Sequence, residues 1–169
     1  MSRAFVKESD DDLAAGELPE RPVPAHANYV TPRGLELLQQ RLRELQDRHE
    51  VMKRTSDEDS AAKQSLREID RDLRYVRAQL ERADVVDPAQ QPRDEVHFGA
   101  AVTIEDEDGR RQAFTLVGDD EADVAGGRIS WAAPLARALM NAKVGDTVVW
   151  RRTTGDTEVE VVDIRYPEA

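Results

Sequence analysis

The sequence contains no cysteine, which excludes disulfides, thiolate metal sites and cysteine nucleophiles. Aromatic residues make up only 5% of it against 35% charged, which is charged for a single compact globule and fits a chain containing solvated helices. Histidine occurs at positions 26, 49 and 97 only, with no metal-ligand spacing. No apolar run approaches the length of a membrane span, and the start, M-S-R-A-F-V-K-E-S-D-D-D, has no signal-peptide core. A soluble cytoplasmic protein is therefore expected. Net positive charge is absent too. The formal net charge is -11, which disfavours a general duplex nucleic-acid binder, because phosphate contacts need a basic footprint.

What is present is charge, at 35% of 169 residues, arranged in zones. Residues 1–28 are acidic and rich in Pro and Ala, without helical or strand period, and are expected to be a disordered tail. Residues 29–87 open with Thr31 as a helix N-cap and Pro32 in the first helical position. Apolar residues then recur in heptad steps at Leu35, Leu38, Leu42 and Leu45, with a break at His49 before Met52. They resume at Ala62, Leu66, Ile69, Leu73, Val76, Leu80 and Ala83. This spacing predicts an antiparallel helical hairpin, a coiled coil folded back on itself. Pairing the first set against the second in reverse order matches Leu35 with Ala83 and Met52 with Leu66, and every pair has the same midpoint, residue 59. His49 opposite Ile69 is the one soft layer.

Residues 88–95 read as a linker. Residues 96–169 alternate as strands: A-A-V-T-I-E, R-Q-A-F-T-L-V-G and R-I-S-W, then a short helix opened by Pro134, then D-T-V-V-W-R and T-E-V-E-V-V-D-I-R-Y. The fold class expected is α+β: an N-terminal helical hairpin followed by a small globule with one helix on a mostly antiparallel sheet. Outside the heptad seam, Arg67, Arg71 and Arg74 share one helix face. They read either as a solvated flank or as a narrow basic stripe facing RNA. Asp57, Glu58 and Asp59 stand at the hinge. They read either as tip acids held out for chemistry or as an acidic helix start, with Ser56 or Asp57 as the cap.

The run Y-V-T-P-R-G-L-E-L-L, the segment L-R-E-I-D-R-D-L-R-Y-V and the strings V-H-F-G-A-A-V-T-I, V-G-D-D-E-A-D, I-S-W-A-A-P-L-A-R-A-L and V-G-D-T-V resemble the Gre-type transcription elongation factors, closest to the GreB branch. The resemblance implies a coiled-coil arm and an FKBP-like C-terminal globule, without prolyl isomerase activity. It implies a monomeric accessory factor, not an enzyme, whose partner is bacterial RNA polymerase. The globule docks at the mouth of the polymerase secondary channel, here through Asp120, Asp123, Ser130, Ala133 and Pro134. The arm's tip acids help hold Mg²⁺ shared with the polymerase active site, so that backtracked RNA is cut, with indirect contact to nascent RNA. The same residues have plainer readings: Asp120 and Asp123 as turn acids, Pro134 as a helix-opening proline.

The sequence departs from the family at the tip. Counted back without gaps from L-R-E-I-D-R, the family's D-x-x-E acids fall on Met52 and Thr55, which cannot serve. The hairpin is shorter than the family's by about a dozen residues, or about 10 Å of reach at 1.5 Å per residue. The hinge count puts Asp57, Glu58 and Asp59 at the tip instead. The alternative function is a non-cleaving regulator that occupies the channel entrance and competes with other channel factors; the short arm resembles that of Rnk-like relatives, polymerase binders without cleavage activity.

Overall fold

Thr31 and Pro32 start the first helix as their chemistry requires. In the computed structural model, which describes residues 18–56 and 59–168, the Thr31 hydroxyl accepts the Gly34 amide at 2.9 Å, and α1 runs Pro32–Thr55. Lys53 and Arg54 lie in its last turn, where cations complement the helix dipole. The second helix, α2, spans Ser60–Glu81. The two helices pack along one another.

Their shared core follows the heptad positions. Leu38, Leu45, Ile69, Leu73 and Val76 are buried together, with Leu35, Leu42, Met52 and Leu80 packed at the margins. His49 stays half-buried at the seam. Its Nε2 lies 3.0 Å from Asp70 Oδ1, so the soft layer is closed by a polar contact at its edge instead of by packing.

Two three-residue strands close the open end of the helix pair. β1 (Asn28–Val30) precedes α1, β2 (Ala83–Val85) follows α2, and they pair in parallel. Asn28 Nδ2 donates to the Gln79 carbonyl at 2.8 Å.

The region expected as a tail divides here. Residues 1–17 lie outside the described residues, whereas residues 18–28 are held in place. Glu20 and Arg21 lie on α2, and Asn28 already belongs to β1. Pro19, Pro22 and Pro24 explain why no period announced this: an extended proline-rich segment has no helical or strand repeat to read. The expected linker is packed as well. Residues Pro88–Gln90 form one 3₁₀ turn capped by Asp87. Pro88 is buried against Gly99, which has φ +88 and where a Cβ would come within 2.6 Å of Pro88.

The rest is one five-stranded sheet. In chain order come β3 (Ala101–Asp106), β4 (Arg111–Val117), β5 (Arg128–Ser130), α3 (Pro134–Leu139), β6 (Thr147–Trp150) and β7 (Thr157–Arg165). The spatial order is β5-β4-β3-β7-β6, antiparallel except for the parallel β4/β5 pair. The β3/β7 register shifts between Thr103 and Ile104. Val102, Ile104, Leu116, Val159 and Val161 face inward against Leu135, Ala136 and Leu139 of α3. Glu158 and Glu160 alternate outward, which is the period-2 pattern of a half-buried strand.

Candidate functional site: the arm tip and its root

At the tip, the end of α1 and the start of α2 compete for cap residues. Ser56 is the C-cap of α1, buried, with its hydroxyl donating to the Lys53 carbonyl at 3.2 Å. Asp59 is the N-cap of α2: extended at φ -128, with Oδ1 accepting from the Ala61 amide at 2.9 Å. The cap therefore falls on Asp59, not on Ser56 or Asp57. Asp57 and Glu58 lie outside the described residues. One Asp59 oxygen is committed to the helix end, where the dipole favours negative charge. Among the described residues, no group of three or more His, Asp or Glu stands close enough to hold a metal ion.

The arginine stripe on α2 is largely engaged. Arg74 grips Glu20 with Nε at 3.1 Å and Nη2 at 2.6 Å. The hydrogen bond from Arg74 holds the Glu20 carboxyl below its usual range, and the Arg74 guanidinium is pushed up in return. Arg71 bonds Asp72 Oδ1 through Nε and Nη2. Arg67 is exposed.

The residues expected to dock on a partner gather around the turn that follows β4, but much of their chemistry points inward. Asp120 Oδ1 accepts from the Tyr75 hydroxyl at 2.8 Å, and its Oδ2 accepts from Gln79 Nε2 at 2.7 Å. Asp120 thus ties the globule to the root of the arm. Burial, then the hydrogen bond to Asp120, pushes the Tyr75 phenol up to about 12. Asp123 pairs with Arg128 at 3.0 Å. Ser130 donates to Asp119 Oδ1, whose Oδ2 lies 2.6 Å from His26 Nε2. Ala133 occupies the N-cap position of α3 without a side-chain cap, and Pro134 is its exposed first residue.

Several root residues escaped the sequence reading: His26, Tyr75, Gln79, Asp119, Glu121 and Trp131. Glu121 is buried and accepts the Thr31 hydroxyl at 2.6 Å. The available signal was Gly34, a glycine inside the first turn of a good helix. A Cβ there would meet Glu121 Oε2 at 2.9 Å. Gly118 has the same function on the other side, since a Cβ would lie 2.4 Å from the Tyr29 carbonyl oxygen.

Residues 91–166 match the family described as transcription elongation factor GreA/GreB, C-terminal region. A transcription elongation factor GreB of Neisseria meningitidis is 39% identical over 153 residues, covering 82% of this chain and 94% of that protein. A GreA of Alkalilimnicola ehrlichii is 36% identical over 108 residues, covering 63% of this chain and 68% of its own. Among solved structures, Gfh1 of Thermus thermophilus is 26% identical with a TM-score of 0.38, covering 83% of this chain and 99% of that one. The Neisseria alignment spans 153 positions while 82% of 169 residues is about 139, so about 14 positions of that relative face gaps here. Extensive identity across nearly the whole of a GreB relative, joined to the C-terminal match, shows that the chain belongs to the GreA/GreB family of transcription elongation factors.

Proposed function

We propose that the protein docks on RNA polymerase through its five-stranded domain, sends the helix pair into the secondary channel and promotes cleavage of backtracked RNA by the polymerase's own active site. In this reading the helix pair is the family's coiled-coil arm, and the five-stranded domain is its FKBP-like module. The observation that carries it is the arm itself. α1 has 24 residues, about 36 Å at 1.5 Å per residue, and the acidic run of residues 57–59 stands at its far end.

The chain acts as an accessory factor. Mg²⁺ shared with the polymerase would supply an activated water and stabilise developing charge at the scissile phosphate. The donor set fits sharing rather than a complete site of its own. Asp57 and Glu58 offer hard carboxylate oxygens, and Asp59 has one oxygen beyond the one that caps α2. On the globule, Asp123 and Pro134 are exposed and suit direct docking, alongside Ser130 and Ala133. Asp120 contributes by orienting the arm. Arg67, exposed where Arg71 and Arg74 are engaged by Asp72 and Glu20, is the member of the arginine stripe that would face RNA.

A second reading is favoured by the gap count and by the Asp59 cap. If the missing positions belong to the arm, they divide between two helices, a shortfall of about 10 Å. An arm that stops short would occupy the channel and exclude other factors without cutting.

One experiment separates the two. A backtracked elongation complex is mixed with the protein, and RNA length is followed alongside displacement of a second channel factor. Cleavage above polymerase alone, lost in Asp57→Ala/Glu58→Ala, supports the first reading. Displacement without cleavage supports the second. Neither effect would sink both.

A further inference from the structure

Residues 20–26 touch both halves of the molecule. At one end Glu20 grips Arg74 through two hydrogen bonds, and the Arg21 guanidinium lies 3.8 Å from the Tyr75 ring centroid and 3.5 Å from Asp72 Oδ1. All of these partners are on α2. At the other end His26 meets Asp119 at 2.6 Å and stands edge-on to Trp131, with ring centroids 5.4 Å apart. Those partners belong to the globule. Arg82, just past α2, donates to the His26 carbonyl and fastens that end from the arm side as well.

The segment is built for this placement. Pro19, Pro22 and Pro24 restrict its backbone, so ordering it costs less entropy than ordering a free chain. Its two ends carry different chemistry, an acid-base pair for α2 and an imidazole for the globule, so it cannot slide along either surface and keep its partners.

We propose that residues 18–27 are a clasp that fixes the angle between the arm and the globule, making Glu20, Arg21 and His26 positioning residues for the tip. The Tyr75–Asp120 and Thr31–Glu121 contacts already join the arm to the globule. The clasp adds a brace from α2, at Arg74, to Trp131. Leverage makes the brace matter. A swing of about 10° at the root displaces the end of an arm of about 36 Å by about 6 Å, well beyond the reach of a carboxylate to a metal ligand position. That consequence rests on the channel-entering reading, whereas the geometric claim does not.

The absence of cysteine allows a direct test. Spin labels at Lys53→Cys, near the tip, and Val144→Cys, exposed on the globule, report the angle as a distance distribution in the full chain. The expected result is a narrow distribution that broadens by about 6 Å, the lever-arm displacement, when Glu20, Arg21 and His26 are all replaced by Ala. A version lacking residues 1–24 should broaden likewise. The charge-reversed pair Glu20→Arg/Arg74→Glu should be narrower than Arg74→Glu alone. An unchanged width in the triple-Ala protein overturns the clasp, whatever the truncated chain does. Cleavage and factor displacement measured on the same proteins separate the two claims: a broadened distribution with no change in either activity keeps the clasp and refutes its role at the tip.

Discussion

Replacing Asp120 by Ala removes the acceptor for two donors on α2 at once. The Tyr75 hydroxyl, half-buried, regains water in part. The Gln79 side chain is fully buried, at 0% relative exposure, and its amide would be left without the acceptor now 2.7 Å away. Hydrogen bonds to a charged group contribute about 1.5–3 kcal/mol, and an orphaned buried donor costs about 1–3 kcal/mol. Asp120 is itself exposed, so solvent screens part of this, and a net loss of about 2–3 kcal/mol is expected. For a chain of this length that lowers Tm by about 5–10 °C. The assay is thermal unfolding of Asp120→Ala, Tyr75→Phe and the double variant. The cycle should give a coupling of about 1 kcal/mol, because the singles share one bond. Asp120→Asn, which keeps one carbonyl acceptor, should fall between parent and Ala. A change within about 0.5 kcal/mol for Asp120→Ala, the range of an ordinary surface substitution, would refute the role of Asp120 as the tie between globule and arm.

Four further outcomes follow from the same geometry. The Tyr75 phenol is raised from 10 to about 12 in the folded protein, chiefly by burial. Its contribution is therefore complete below pH 10 and lost as pH climbs toward 12, and stability of the parent should fall more steeply over that window than stability of Tyr75→Phe. Leu45→Ala, at a position with 0% exposure, should cost about 2–5 kcal/mol by denaturant titration, while Val51→Ala on the exposed face of α1 should stay within about 0.5 kcal/mol. Gly118→Ala places a Cβ against the Tyr29 carbonyl and should lower stability by about 1–3 kcal/mol. Asp59→Ala should cost about 1 kcal/mol through loss of the α2 cap, with Asp59→Ser recovering most of it.

The helix pair was legible because heptad spacing reports which residues face one another. Leu45, Ile69, Leu73 and Val76 are buried where the spacing put them. The strands of the globule were legible because alternation survives in single stretches, as with Val159 and Val161 against Glu158 and Glu160. The joint was not legible. Tyr75 and Gln79 find Asp120 across 45 and 41 positions of sequence, and no local period encodes such a pairing. Nor does a three-residue parallel pair such as β1/β2 leave a pattern. At the tip, Ser56, Asp57 and Asp59 are all competent caps by residue type. Only the backbone, extended at Asp59 and helical at Ser56, decides between them.

That decision alters what the tip can do. A carboxylate that caps a helix is held by the chain it caps, so Asp59 is well oriented but half spent. On the proposed function, metal-facing chemistry falls first to Asp57 and Glu58, because one Asp59 oxygen is already committed to its cap. Their usefulness then depends on where the helix pair points, and that is set far away, by Asp120, Glu121 and the clasp on Arg74. On that reading, the residues that matter for a reaction at the tip lie at both ends of the arm. An arm shorter than that of the relatives would sharpen the dependence, because a tip with little reach to spare tolerates less angular error at its root.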